Sequence, residues 1–406
     1  MSNVSSSNGL EKYPKLRFRG FSEPFVVRKI GTFAKCYAGA TPSTKVRSYW
    51  DNGTIPWLSS GEVNKKHIDF TDTYISQSGF DNCSTKMVPS GTVVMALAGQ
   101  GKTRGTVAIT NIDLCTNQSL AAIVTDDSVC DLCLLYYLET QYENLRAVSS
   151  GDGTRGGLNL QIISDYPVCL PSIGEQIKIA DFFAVLDKKI EKQHTLIETL
   201  KKYKRGLVSS ILSEKIKISD EAWEECTIGD FLASKSIKQL PTAEAPLMAF
   251  TATGGVCDKG ERYDRGFLVK DASTKLYKRT DYGDFIYSSN NLDVGSIGLN
   301  LYGSAVISDV YEIFSINGAD PWFISEVIQQ KPIMRDILKY RQGCLYGQYR
   351  IYAEDFLSVK IRIPSLPLQS KIGALISQVE SKILAEQGLL DNLEKCKAAL
   401  LQIMFI

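Results

Sequence analysis

The side chains best suited to chemistry in the first half of this sequence lie in three loops that combine glycine with cationic and amide residues. They are TPSTKVRSYWDNG (Thr41 to Gly53), GQGKTRG (Gly99 to Gly105) and SSGDGTRGGLN (Ser149 to Asn159). Arg pairs bidentately with guanine, and Asn or Gln with adenine, so loops of this kind suit DNA recognition. Turn-forming surface loops have the same composition, and that alternative stays open.

The second half has loops at corresponding places, but with different side chains. They are TATGGVCDKGERYDRG (Thr251 to Gly266), SSNNLDVG (Ser288 to Gly295) and QGCLYGQYR (Gln342 to Arg350). One scaffold that carries two different sets of loops is typical of a protein with two recognition surfaces.

One loop of the first half is similar to a nucleotide-binding motif. ALAGQGKT, from Ala96 to Thr103, places Lys102 and Thr103 where a phosphate loop has its lysine and its magnesium-binding threonine. A phosphate loop must open a helix whose N-terminal amides hold the phosphates, whereas the RGTVAIT that follows here predicts another strand. An enzyme that uses a nucleotide at this loop is therefore a minor alternative.

Other catalytic signatures are absent from the sequence. It has no Asn-Pro-Pro-aromatic or Asp-Pro-Pro-Tyr segment of the kind that adenine methyltransferases use, and no convincing PD-(D/E)xK nuclease pattern. Its ten cysteines show no zinc-finger spacing, and its two histidines leave little room for histidine-based catalysis. The sequence therefore predicts a binding protein or scaffold with no catalytic or metal site of its own.

A long segment that would position these loops occurs twice. LPSIGEQIKIADFFAVLDKKI, from Leu170 to Ile190, aligns without a gap with IPSLPLQSKIGALISQVESKI, from Ile363 to Ile383, at a spacing of 193 residues. Both copies begin at Pro-Ser, where serine can cap a helix. Each predicts a helix of roughly 40 residues, about 60 Å long at about 1.5 Å per residue.

Apolar residues recur along both predicted helices at alternating steps of four and three, which is the pattern of a coiled-coil seam. So narrow a seam needs a partner, and the simplest one is the other copy in antiparallel orientation. In our hypothesis Lys204 lies opposite Glu386 and Gln193 opposite Lys397, so that polar residues face polar residues. The residues predicted to pair are Ile179, Phe183, Leu186, Ile190, Ile197, Leu200, Lys204, Ile372, Ile376, Val379, Ile383, Glu386, Leu390 and Leu393.

Short strands separated by turn residues fill the sequence before each long helix. The predicted strands are GTVVMALA (Gly91 to Ala98), GTVAIT (Gly105 to Thr110) and SLAAIV (Ser119 to Val124), then GDFIYSS (Gly283 to Ser289), GSIGLN (Gly295 to Asn300) and YEIFSI (Tyr311 to Ile316). We predict an α/β fold in which two α/β domains form a tandem pseudo-repeat, each followed by a long helix, with the two helices paired as an antiparallel coiled coil. The predicted boundaries are 1–169 and 216–362 for the domains and 170–215 and 363–406 for the helices.

The net charge of +1 argues against a protein that grips DNA unaided. Only the first long helix is distinctly basic, since residues 166–218 contain 10 Lys and Arg against 6 Asp and Glu. Its basic residues could form a solvated helix face or contact phosphates, and the sequence favours neither. No apolar run is long enough to span a bilayer and no signal peptide is visible, so we expect a cytoplasmic protein with no membrane contact.

The order of these features resembles the specificity (S) subunit of type I restriction-modification systems. The likeness rests on PKLRFRGF (Pro14 to Phe21), TPS…YW…GTIPWLSSGEV (Thr41 to Val63), LPSIGEQIKIADFF with its echo at Ile363, and the repeated opening segment AWEECTIGDF. The second half departs from the pattern, because APLMAF (Ala245 to Phe250) stands in place of an IPWL counterpart. That departure limits the transfer of residue roles to the second half.

The resemblance implies two target-recognition domains that each read one half of a split, asymmetric DNA site, held a set distance apart by the paired helices. It implies that the chain docks two methyltransferase (M) subunits and restriction (R) subunits on double-stranded DNA. It also implies that S-adenosylmethionine, ATP and Mg²⁺ belong to those partners, so that this chain has no cofactor and no enzymatic activity of its own.

Within this scheme we predict individual DNA contacts in both domains. They are Gln100, Lys102, Arg104 and Arg155 in the first domain, and Asn290, Asn291, Gln348 and Arg350 in the second. The other alternative is a coiled-coil adaptor whose domains bind protein. A bipartite sequence preference in the presence of the partner would distinguish the DNA-reading subunit from the adaptor.

Overall fold

The computed structural model describes residues 12–99, 102–149, 157–252, 254–258, 275–290, 292, 295–343 and 349–405. These residues belong to two compact units. Unit 1 comprises Met1–His194 and Leu389–Ile406, and unit 2 comprises Thr195–Gly388. Each unit therefore contains an α/β domain together with parts of both long helices.

Unit 1 holds the first α/β domain. Its strands are β1 (Val26–Lys29), β2 (Ala34–Ala38), β3 (Ile55–Leu58), β4 (His67–Ile68), β5 (Thr73–Ile75), β6 (Met87–Val88), β7 (Val93–Ala96), β8 (Val107–Thr110), β9 (Leu114–Thr116), β10 (Leu120–Thr125) and β11 (Pro167–Leu170). Its helices are α1 (Gln77–Asp81), α2 (Asp131–Thr140), α3 (Tyr142–Ala147) and α4 (Leu160–Asp165), and the long helix α5 (Ile173–Leu212) begins here.

Strand β7 lies in the middle of a sheet of order β2-β10-β7-β8-β4 and is buried on both faces. Val93 and Met95 join the core that includes α2. Val94 and Ala96 join a second core, which also contains residues of the other sheet, of order β5-β3-β9-β6. Successive strand residues point to opposite faces, so an unbroken apolar run is what a strand between two cores requires.

Unit 2 holds the second α/β domain. Its strands are β12 (Glu224–Thr227), β13 (Leu232–Ser234), β14 (Lys238–Gln239), β15 (Ala249–Thr251), β16 (Gly255–Cys257), β17 (Tyr277–Thr280), β18 (Phe285–Ser288), β19 (Ile297–Leu299), β20 (Ala305–Ile307), β21 (Tyr311–Ile316), β22 (Gln342–Gly343), β23 (Tyr349–Arg350) and β24 (Lys360–Ile363). Its helices are α6 (Pro321–Ile328), α7 (Lys331–Ile337) and α8 (Ala353–Leu357), and the long helix α9 (Leu366–Phe405) begins here.

The two units repeat one plan. The sheet order β13-β21-β18-β19 of unit 2 matches β2-β10-β7-β8 of unit 1, and β12 pairs with β24 as β1 pairs with β11. Helices α5 and α9 each contain 40 residues, and they start 193 residues apart (366 − 173). The predicted fold class, with its pseudo-repeat and two long helices, is confirmed.

The long helices run antiparallel in each unit. In unit 1 Asp187 bonds Lys397 and His194 bonds Glu394, so the residue numbers change in opposite directions along the two helices. In unit 2 the end of α5 and the start of α9 share one apolar core. All of the residues predicted to pair have buried or half-buried side chains.

A lysine on the seam is held by two carboxylates in each unit. In unit 1 Lys397 Nζ lies 2.6 Å from Asp187 Oδ1 on α5 and 3.5 Å from Glu139 Oε2 on α2. In unit 2 Lys204 Nζ lies 2.9 Å from Glu380 Oε2 on α9. It also lies 2.5 Å from Glu326 Oε1 on α6. These two lysine clusters each tie both long helices to the α/β domain of the unit.

The predicted facing residues of the coiled coil were wrong. Lys204 meets Glu380 rather than Glu386, and Lys397 meets Asp187 rather than Gln193. Glu386 instead receives Lys382 from its own helix. The physical reason is that two carboxylates neutralise a half-buried ammonium better than one facing residue can, and the second carboxylate comes from the domain helix.

The charge of Lys204 depends on this cluster. Burial acts to lower the pKa of Lys204, but the charges and hydrogen bonds of Glu326 and Glu380 outweigh burial, so its pKa is raised above the ordinary value. A raised pKa contributes stability that is complete below the unfolded-state pKa. That contribution is therefore present at neutral pH and is lost only as the pH rises through the raised pKa of the folded state.

A buried glutamine joins the start of each long helix to its domain. Gln176 Nε2 donates to the carbonyl of Pro171 at 2.8 Å, and its Oε1 accepts the N–H of Cys130, the N-cap of α2, at 2.9 Å. Gln369 repeats the arrangement in unit 2, with Nε2 donating to Pro364 at 2.8 Å and Oε1 accepting the N–H of Asp320, the N-cap of α6, at 3.2 Å. The glutamines are 3% and 2% exposed, so water cannot replace these bonds.

One glycine marks a difference between the two helix starts. A Cβ on Gly373 would lie 1.9 Å from Asp320 Oδ1, so α9 cannot carry a side chain there without a shift of the α6 cap. The position 193 residues earlier is Ala180, which is 3% exposed, and the N-cap of α2 is the smaller Cys130. An aspartate at the N-cap of α6 therefore requires a glycine at the facing position of α9.

The register can be tested with double-mutant cycles. We expect a coupling energy of about 0.5–3 kcal/mol between Lys204→Gln and Glu380→Gln, because the two side chains share an ion pair. The pair Lys204→Gln and Glu386→Gln should couple by less than about 0.5 kcal/mol. Urea unfolding of the full chain measures both cycles, and coupling to Glu386 instead of Glu380 would restore the original register.

The glutamine contact can be tested in unit 1. Gln176→Ala leaves the buried N–H of Cys130 without its acceptor, so we expect the free energy of unfolding to fall by about 1–3 kcal/mol. Gln161→Ala is the control, since Gln161 is exposed and bonds only Asp165 of its own helix. Equal thermal denaturation of the two variants would show that the buried contact contributes nothing.

Candidate nucleic-acid interface

The first candidate loop connects β7 to β8, which pair antiparallel with Met95 opposite Val107. Gly105 adopts φ +83°, a value that favours glycine, and its N–H bonds the carbonyl of Ala96 at 2.9 Å to close the hairpin. The residues after Lys102 thus form a strand, as the sequence predicted. A phosphate loop would need a helix there, so this geometry does not support nucleotide binding.

Lys102 is presented by a fixed backbone. Its carbonyl accepts the hydroxyl of Thr106 at 3.0 Å and the hydroxyl of Tyr142 on α3 at 2.7 Å. Its side chain is exposed beside a depression lined by Thr106, Tyr142, Glu143 and Arg146. An exposed ammonium on an anchored loop suits a phosphate contact.

Arg104 lies below this surface. The residue is only 8% exposed, because α3 packs over the adjacent Gly105 through Leu145 and Arg146. Its carbonyl accepts the guanidinium of Arg146 at 3.5 Å. The hairpin thus exposes Lys102 and buries Arg104, although both belong to one short loop.

Tyr142 and Arg146 are functional candidates that the sequence analysis did not single out. The Arg146 guanidinium lies 5.4 Å from the centre of the Tyr142 ring and donates to its hydroxyl at 3.2 Å. An aromatic residue and an arginine four positions apart share one face of a helix, which is a signal that could have found them. Together with Lys102 they give unit 1 a cationic and aromatic surface.

Unit 2 brings two of the predicted residues together. The backbones of Asn290 and Arg350 form an isolated antiparallel β-bridge. Arg350 Nη2 donates to Glu312 Oε1 at 3.1 Å, and the guanidinium lies 5.1 Å from the centre of the Tyr352 ring. Glu312 also accepts Lys278 Nζ at 2.8 Å, so two cations share this carboxylate. The side chain of Arg350 remains 37% exposed and can meet a ligand.

The remaining predicted contacts, Gln100, Arg155, Asn291 and Gln348, lie outside the described residues. They stay predictions. The two described surfaces share a plan, in which a cation is fixed by backbone or carboxylate contacts beside an aromatic ring. Their side chains differ, as two different recognition surfaces require.

The sequence of the first unit matches a known family of DNA specificity domains. Residues 22–202 match the family model described as the type I restriction modification DNA specificity domain. The match runs from just before β1 through the first α/β domain and into α5. The first unit of the chain therefore carries this DNA specificity domain.

Proteins of similar length resemble the whole chain. The type I restriction enzyme MjaIX specificity subunit of Methanocaldococcus jannaschii is 26% identical over 403 residues, which cover 92% of this chain and 91% of that one. A solved S subunit of a type I restriction-modification system from M. genitalium has a TM-score of 0.62 at 16% identity, covering 97% and 99% of the two chains. A chain solved in work on complex assembly of the type I R-M system has a TM-score of 0.50 at 13% identity, covering 94% and 97%.

The solved structures support the fold, with tandem domains and two long helices. No helix in the described ranges of this chain is long and apolar enough to cross a membrane.

The exposed Lys102 and the buried Arg104 of the β7–β8 hairpin should respond differently to substitution. Lys102→Ala should weaken DNA binding uniformly across sequences and lower the salt slope of the affinity by about 1, because it removes one phosphate contact. Arg104→Ala should instead lower the free energy of unfolding by about 1–3 kcal/mol, because Arg104 is buried. DNA titrations at several salt concentrations and thermal denaturation separate the two effects.

Lys35→Ala, which removes another exposed lysine of unit 1, is the matched control for Lys102. A change of preference at a single base pair in Lys102→Ala would show that this side chain reads a base rather than a phosphate.

Proposed function

We propose that this chain is the DNA-reading subunit of a type I restriction-modification complex and recognises a bipartite, asymmetric site. The duplication carries this proposal. Two units share one sheet order and the same glutamine contact, yet they present different side chains, Lys102 with Tyr142 in one and Arg350 with Asn290 in the other. Each unit would read one half-site.

The chain acts by binding and docks other subunits on the DNA. Its partners are two methyltransferase subunits and restriction subunits, since relatives of this chain are named as specificity subunits of such enzymes. The net charge of +1 fits a protein whose partners supply much of the basic surface. S-adenosylmethionine, ATP and Mg²⁺ belong to those partners, and the complex works in the cytoplasm, where its DNA lies.

Two other functions remain to be compared with this one. The β7–β8 hairpin lacks the helix that a nucleotide-using enzyme would need after Lys102. A coiled-coil adaptor would use the same paired helices but would show no sequence preference on DNA. The decisive experiment must therefore report sequence preference directly.

The test is to co-express this chain with the methyltransferase subunit encoded beside it and to map methylated adenines across the host genome. We expect one motif, made of two short half-sites with a fixed gap, that appears only when both chains are present. Soluble complexes without any methylated motif would contradict a DNA-reading role and favour the adaptor.

A substitution in one unit can show which half-site that unit reads. Arg350→Ala should relax the preference at one position of a single half-site, at a cost of about 1–3 kcal/mol, and leave the other half-site unchanged. A change in both half-sites would contradict the assignment of one half-site to each unit.

A further inference from the structure

The outer face of α5 carries a group of cations that the recognition surfaces do not use. Lys188, Lys189 and Lys192 are all exposed. Given 3.6 residues per turn, Lys188 and Lys192 lie on the side of α5 away from the seam residues Leu186, Ile190 and Ile197, and Lys189 lies at the edge of that side. We call this group, defined by its three lysines, the α5 lysine face.

The α5 lysine face forms no salt bridge with the described residues, although the exposed Glu191 lies three residues after Lys188 on the same helix. Lys201, further along the helix, does bond Glu198. Lys188 and Lys192 are four residues apart and Lys189 and Lys192 are three apart, so each pair repels by about 0.2–0.5 kcal/mol on a helix. The three lysines lie mid-helix, where the C-terminal end of the helix dipole cannot compensate them.

The repeat shows that the face is not needed for helix pairing. The residues 193 positions later on α9 are Ser381, Lys382 and Ala385, which are also exposed. Helix α9 forms the same lysine cluster and the same glutamine contact with only one cation at these positions. The two extra lysines of α5 are therefore available to bind a ligand.

We propose that the α5 lysine face binds the phosphate backbone of DNA beside the half-site that unit 1 reads. This inference rests on the proposed function. Phosphate contacts need cations at exposed positions but no base-specific geometry, and lysine provides such a point charge. Lys188 and Lys192 are about 6 Å apart along the helix at about 1.5 Å per residue. This is nearly two phosphate steps of ~3.4 Å along the DNA axis, so their long side chains can meet nearby phosphates of one strand. The face would strengthen binding without changing the sequence that is read.

The test compares the complex of this chain and its methyltransferase subunit with one that carries Lys188→Gln, Lys189→Gln and Lys192→Gln. DNA that contains the methylated motif is titrated at salt concentrations between 50 and 200 mM, an ordinary range for such measurements. Each phosphate contact contributes about 0.9 to the slope of log K against log salt, so the slope should fall by up to about 3. The loss of affinity should be larger at low salt than at high salt, and the methylated motif should stay the same.

Lys371→Gln, Lys382→Gln and Lys395→Gln together form the matched control, because they remove three exposed charges from α9. The control should leave the slope unchanged. An unchanged slope in the α5 variant, with its motif intact, would overturn the inference and leave the proposed function standing. Loss of the methyltransferase subunit from the purified α5 variant at an unchanged slope would also overturn it, since the face would then bind protein. Absence of any motif with the unaltered chain would instead contradict the proposed function.

Discussion

A lysine held between two carboxylates is the interaction on which each unit depends. Moving an ammonium group out of water costs several kcal/mol, and attraction to one carboxylate often fails to repay that cost. Lys397 and Lys204 each receive a second carboxylate, and in both units it comes from a helix of the α/β domain, as Glu139 of α2 or Glu326 of α6. The same contact therefore sets the register of the long helices and the position of the domain, because a shift of either element would leave a half-buried charge unpaired.

The buried glutamines add a second constraint at the start of each long helix. Gln176 and Gln369 satisfy a proline carbonyl and the N–H of a helix cap at the same time, which only one placement of the domain helix allows. With the framework fixed in this way, the loops above the sheets can differ. Lys102 is held by a tyrosine hydroxyl and Arg350 by a carboxylate, so the units share a scaffold but not a chemistry.

Features that depend on a repeating sequence pattern could be predicted from the sequence. Contacts between segments far apart in the sequence could not. The heptad pattern and the spacing of 193 residues predicted both long helices and their antiparallel pairing. The predicted register was wrong because it compared only seam residues. Asp187 and Glu380 each follow a seam residue, Leu186 or Val379, by one position and were therefore not considered. The depth of Arg104 depends on the packing of α3 over Gly105, a contact between segments about forty residues apart that loop composition does not encode.

The glycine on α9 has a consequence for how such genes can change. Asp320 caps α6 and occupies the space that a side chain at position 373 would need, whereas the equivalent position of α5 is Ala180. A recombination event that joined the second α/β domain to the first long helix would bring an aspartate against an alanine, and the helix start would have to shift to accept it. Inheritance of the domain and of the first two turns of its own helix as one block avoids that clash. Selection on shuffled descendants should therefore favour crossovers within the long helices, beyond position 373, over crossovers at the domain boundary.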